Sequence, residues 1–166
     1  VNFIFLSIYI GYSMGCAPII GYHYGAGNKD ELKNLFKKSL RIILVMSIVL
    51  TVAAEALARP LSMIFVSYDQ ELLEMTTYAF AVYSVSFLIS GYNIYASSFF
   101  TALNDGFTSA LISFCRTLIF EVIAVLVLPV LFGAYGIWYA VITAEVFALM
   151  LSVFFLARNR KKYGYI

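Results

Sequence analysis

The first 28 residues contain no Lys, Arg, Asp or Glu, and neither does the stretch 76–104. A helix of about 20 apolar residues suffices to cross the hydrocarbon core of a bilayer. Three further apolar runs have that length. The run 42–66 is interrupted by Glu55, Arg59 and Pro60; the run 107–132 contains Arg116 and Glu121; the run 137–157 contains Glu145. Backbone N–H and C=O groups in lipid must be paired within their own segment. The predicted fold class is therefore all-α integral membrane, a polytopic helical bundle with transmembrane spans at about 1–25, 42–66, 76–104, 107–132 and 137–157. Composition agrees: 63% of residues are hydrophobic and 12% charged, against about 25% charged in a soluble domain. A short chain has no core large enough to hide so much apolar surface from water. The chain begins inside an apolar run with Val1 rather than Met, which predicts a piece of a longer protein.

The connections orient the bundle. Segment 29–41 carries Lys29, Lys33, Lys37, Lys38 and Arg41, and the tail 158–166 carries Arg158, Arg160, Lys161 and Lys162. Segment 67–75 holds Asp69, Glu71 and Glu74 and no basic residue. Five crossings thus place nine of the eleven basic residues on one side. The positive-inside rule makes that side the cytoplasm and predicts a multi-pass protein of the inner (plasma) membrane with a cytoplasmic tail. Tyr22, Tyr24, Phe65, Tyr68, Phe132, Tyr135, Tyr163 and Tyr165 stand at expected membrane edges, where amphipathic rings favour the headgroup layer. Phe99 and Phe100 are expected between helices. Segment 29–39 reads as a helix lying on the membrane surface. Asn28 would cap it with Glu31 as reciprocal partner, and Leu32, Leu35 and Phe36 share an apolar face flanked by lysines.

Ionisable groups within spans are costly and mark functional sites by default. The candidates are Glu55, Arg116, Glu121 and Glu145. At 1.5 Å per residue the three glutamates lie about 20–22 Å from the basic edge, in one layer, and Arg116 about 15 Å deep. Arg116 and Glu121 are about 140° apart around their helix and cannot pair as i,i+4 neighbours do. Each needs a partner on another helix or water, so these helices are expected to line an aqueous cavity where a carboxyl exchanges protons during transport. A fixed structural ion pair is the alternative. Asn93 and Tyr92, in an uncharged span, are candidates for substrate contact or for hydrogen bonds across helices. Pro18 removes a backbone hydrogen bond inside the first span and permits a bend, and Gly11, Gly15 and Gly21 would let a neighbouring helix approach. His23, between two tyrosines at the membrane edge, is read as interfacial.

Other chemistries find little support. A net charge of +2 supplies no face for nucleic acid. Cys16 and Cys115 are far apart, with no CxxC or HExxH pattern, so no metal site is expected. His23 is the only histidine, no nucleophile motif accompanies it, and "YGAGN" lacks the dinucleotide spacing. The chain is expected not to be an enzyme and to need no cofactor.

An ordered set of motifs carries a resemblance. "GCAPIIGYHYGAGN" before a basic segment, "ASSFFTALND", and "SFCRTLIF…LPVLFGAYGIWYAVITAE" from Ser113 to Glu145 resemble the C-terminal lobe of multidrug and toxic compound extrusion (MATE) transporters across essentially the whole chain. The resemblance implies five of the six helices of the second lobe of a twelve-helix protein, with Pro18, Arg116, Trp138 and Glu145 on family positions. It implies export of drugs or small cationic and amphiphilic substrates in exchange for H⁺ or Na⁺, with membrane lipid and the N-terminal lobe as partners and one lobe rocking against the other. The chain departs from some members in having no acid within 76–103, which leaves the coupling ion open. A lipid-linked oligosaccharide flippase of the same superfamily, or a structural membrane segment that does not transport, are the alternative readings. Arg116 is the only deep basic residue, which leans against the flippase.

Overall fold

The computed structural model describes residues 2–166; Val1, the first residue of the first expected span, lies outside them. The described residues form helices joined by tight turns: α1 (Asn2–Gly25), α2 (Lys29–Val66), α3 (Gln70–Ser84), α4 (Phe87–Ala102), α5 (Gly106–Phe114), α6 (Glu121–Phe132) and α7 (Gly136–Tyr163). A π-helical turn, Cys115–Phe120, joins α5 to α6. Four helical runs are each long and apolar enough to cross a membrane: α1, α2, Gly106–Phe132 and α7. The pair α3 and α4 makes a fifth span, bent by 44° at its break. The chain is a multi-pass helical membrane protein.

Two expectations about these elements are corrected. Segment 29–39 is not a separate surface helix. It continues into the second span as one 38-residue helix, about 57 Å long, so its first turns stand beyond a hydrocarbon core about 30 Å thick. Asn28 does cap it, its Oδ1 accepting from Glu31 N–H at 3.1 Å, while the Glu31 carboxylate accepts from Asn34. Leu32 and Phe36 face protein rather than headgroups, since both are buried, and nothing between Ser39 and Ile42 breaks the helix.

The third span is likewise not one straight helix from Thr76. It starts at Gln70, capped by Asp69, whose carboxylate accepts from the N–H groups of Glu71 and Leu72. It then breaks at Val85–Ser86, where the backbone tightens to i→i+3 bonds such as Ser86 N–H to Tyr83 O at 2.9 Å. Side-chain hydroxyls compete for carbonyls at the break: Ser84 Oγ donates to Ala81 O and Thr51 Oγ1, from α2, to Ser84 O. Polar side chains of this kind make a broken helix tolerable in lipid.

The largest buried cluster lies at the basic end. Leu32, Phe36, Ile43, Tyr95, Phe99, Phe100 and Leu103 pack there with Tyr163 and Tyr165. Phe99 and Phe100 are between helices as expected, but Tyr163 and Tyr165 do not sit in the headgroup layer. Gly164 adopts a left-handed conformation, φ 71°, and turns the tail back. The Tyr165 ring then packs tilted against Phe36 and edge-on to Phe99, with centroids 5.1 and 4.9 Å away. Close helix approach also occurs elsewhere than expected. Gly11 and Gly15 face open space, and only Gly21 meets a neighbour, the Ala102 carbonyl. Gly91 and Gly136 are the tight positions: a Cβ at Gly91 would lie 2.5 Å from the Tyr9 ring, and one at Gly136 would run into the Leu128 backbone.

Candidate functional site

The π-helical turn carries Arg116 and directs it at α7. Arg116 Nε donates to both Glu145 oxygens, at 3.0 and 3.1 Å, and Nη2 to Oε1 at 2.6 Å. The side chains are 18% and 8% exposed. A π-turn widens the helix by one residue and commonly marks a functional position; here it sets the guanidinium against a carboxylate on the neighbouring span.

α4 completes the site. Asn93 Nδ2 donates to Glu145 Oε2 at 2.7 Å and to the Glu145 backbone carbonyl at 3.0 Å. Asn93 Oδ1 accepts from Ser152 Oγ at 3.1 Å. Ser90 Oγ lies 2.9 Å from Glu145 Oε1 and also 2.9 Å from Ser86 O. A hydroxyl has one proton to give, so Ser90 serves one of them at a time. Asn93, Glu145, Ser90 and Ser152 are all buried. Two opposite charges and their hydrogen-bonding shell thus tie together the third, fourth and fifth spans. In a low-dielectric surrounding the pair is held far more strongly closed than apart.

Of the residues expected to act, the structure brings Arg116, Glu145 and Asn93 together. Glu55 and Glu121 do not join that cluster. Glu55 is exposed on α2 beside the buried Ala54 and Ala58, and Glu121 is exposed on α6 next to Thr117 and Val125. Tyr92 is half-buried and faces away from the ion pair, into a crevice between α2 and α7. The Asn93 amide is occupied by Glu145 and Ser152 rather than turned to open space. Pro18 lies inside an unbroken α1, and His23 sits edge-on to Tyr22 in its last turn.

Sequence reading missed a row of hydroxyls. Ser97 Oγ is 2.9 Å from Ser109 Oγ and 2.7 Å from Ser113 Oγ, and Thr101 Oγ1 is 2.7 Å from Ser109 Oγ. Thr101 and Ser113 are exposed at the ends of the row. The signal was available, because 97/101 and 109/113 are i,i+4 pairs on adjacent spans.

A second polar centre ties the basic end. Asp105 caps α5 by accepting from Thr108 N–H at 3.2 Å. Its Oδ2 accepts from the Tyr163 hydroxyl at 2.7 Å and lies 3.9 Å from Lys162 Nζ. Burial alone would raise the Asp105 carboxyl, but the Tyr163 and Thr108 hydrogen bonds and the Lys162 charge outweigh it and hold it below the usual carboxylate value.

The MatE family model matches residues 1–127. Multidrug export protein MepA of Staphylococcus aureus strain MSSA476 is 28% identical over 153 residues, which cover 90% of this chain and 33% of that protein. MepA of strain bovine RF122 / ET3-1 is 26% identical over the same shares. The chain thus spans about a third of the length of the curated relatives it matches. No solved structure matches the chain significantly. With the family's model running from α1 through most of α6 of an all-helical membrane bundle, the chain belongs to the MatE family.

Proposed function

We propose that this chain forms part of a secondary active transporter that exports drugs and organic cations in exchange for inward H⁺ or Na⁺. The observation that carries the reading is the buried Arg116–Glu145 pair with Asn93 and Ser90, a charged cluster inside membrane spans. Groups of this kind at such depth belong to transport pathways and their gates. The relatives are named as multidrug export proteins, which gives the substrate class.

In this reading the N-terminal lobe of the same protein supplies the opposite wall of the cavity, and the basic end faces the cytoplasm. Glu145 is already matched by a counter-charge. Coupling there requires H⁺ or Na⁺ to displace Arg116 from the carboxylate, which removes the charged tie between the fourth and fifth spans. Glu55 and Glu121 are the alternative carriers. Apolar and aromatic walls suit flat cations of many shapes.

The test is efflux of a fluorescent organic cation from proteoliposomes holding the full-length protein, with H⁺ and Na⁺ gradients imposed separately. Export should follow one gradient and stop when it is collapsed. Glu145→Gln, Glu55→Gln or Glu121→Gln should uncouple it. Export indifferent to both gradients, or fully coupled in all three variants, overturns the proposal.

A further inference from the structure

Between α2 and α7, with α4 behind, runs a crevice of about 300 Å³ with apolar walls. Leu40 lines it from α2, Tyr92 and Tyr95 from α4, and Leu149, Val153 and Leu156 from α7. At its basic end the folded-back tail packs beside it: the Tyr165 hydroxyl donates to Leu156 O at 2.7 Å while its ring packs on Phe36.

The rim of this crevice is basic. Lys37 and Lys33 precede Leu40 by three and seven residues, and Arg160 follows Leu156 by four. Helical spacing puts all three on the crevice side of their helices, at the end nearest the membrane surface. Lys37 and Arg160 are exposed, and Lys33 is partly so. Lys38, two residues from Leu40, points elsewhere. Glu31 lies half a turn away from Leu40 and is engaged by Asn34.

We infer that this crevice binds an anionic diacyl phospholipid from the leaflet on the basic side, with one acyl chain between α2 and α7 and its phosphate held by Lys33, Lys37 and Arg160. A flexible apolar chain fits walls of Leu, Val and Tyr. Another transmembrane helix would call for a seam of small residues that lets backbones approach; the crevice has one on its α2 and α7 walls, Ser152, which is buried with its hydroxyl engaged by Asn93. Three cations at the rim select a net negative headgroup, as basic clefts between helices at a membrane surface do. The inference rests on the membrane-spanning fold alone and is independent of what the protein exports.

Native mass spectrometry of the full-length protein released from nanodiscs of mixed phosphatidylglycerol and phosphatidylcholine reads the site. One phosphatidylglycerol should be retained in preference to phosphatidylcholine. Lys37→Gln should lower that retention about fivefold, and Lys33→Gln/Lys37→Gln about 25-fold, at roughly one charge contribution each. Lys38→Gln should leave it unchanged, and Val153→Trp should abolish it by filling the crevice. The lysine variants alter no packed side chain, so they remain informative if Val153→Trp fails to fold. Equal retention of the two lipids, or equal losses in Lys37→Gln and Lys38→Gln, would overturn the inference.

Discussion

Replacing Glu145 by Leu removes a carboxylate that accepts from Arg116, Asn93 and Ser90 at once. The guanidinium of Arg116 is then left without its counter-charge at mid-depth, which costs about 3 kcal/mol. Asn93 keeps the backbone carbonyl of residue 145 as an acceptor, so little is added there. Arg116→Leu leaves the carboxylate with its Asn93 and Ser90 donors. Hydrogen bonds between membrane helices average about 0.6 kcal/mol and reach about 1.7, so two of them soften the loss to about 2 kcal/mol. The double variant has neither charge to strand and should lie within about 1 kcal/mol of the parent. The pair then shows a coupling of about 4–6 kcal/mol, far outside the few tenths expected of independent sites. Equilibrium unfolding of the full-length protein in mixed detergent–SDS micelles measures all four corners of the cycle. A double variant as unstable as the two single variants combined would refute the pairing, and with it the idea that Arg116 and Glu145 act as one neutral unit.

Asp105→Ala removes the α5 cap and the tie to Tyr163, and should destabilise the bundle by about 1–2 kcal/mol in the same unfolding assay. Because the folded Asp105 carboxyl is held low, its contribution is complete above the unfolded value of about 3.9. It should fade only as pH falls through the lower folded value, so unfolding between pH 5 and 8 should show no Asp105-dependent slope. Gly91→Ala places a methyl group against a Tyr9 ring that is pinned by bonds from its hydroxyl to Phe87 O and Ser47. A loss of about 1–3 kcal/mol is expected, whereas Gly11→Ala and Gly15→Ala should be tolerated. Tyr165→Ala should expose the basic-end core, read as faster labelling of a cysteine introduced at Leu156.

The spans were legible because lipid leaves a helix few alternatives, and charge-free runs such as 76–104 admit almost no other reading. The Asn28 cap was legible from its local spacing. Arg116 and Glu145 could be singled out as deep charges, and the angle to Glu121 directed Arg116 to another helix. Their mutual pairing was not legible, because it depends on a π-turn that shifts Arg116 around its helix axis and on how α7 is rotated against it. The break at Val85–Ser86 escaped because serines are common in membrane helices, and only the surrounding carbonyls show which of them compete with the backbone. Tyr163 and Tyr165 were misread for a related reason. Position along the chain put them at the membrane edge, but one left-handed glycine reverses the tail and carries them into the protein. Gly11 and Gly15 lacked what Gly91 has, a large ring from a neighbouring helix facing the missing side chain.

The two acceptors of Ser90 have a mechanical consequence. Ser86 O belongs to the kink between α3 and α4, and Glu145 Oε1 belongs to the ion pair. The Ser86 carbonyl also accepts from the backbone N–H groups of Ile89 and Ser90, at 3.0 and 2.9 Å, so it stays satisfied when the Ser90 hydroxyl turns to Glu145. The hydroxyl is thus free to follow the carboxylate without opening the backbone of the bend.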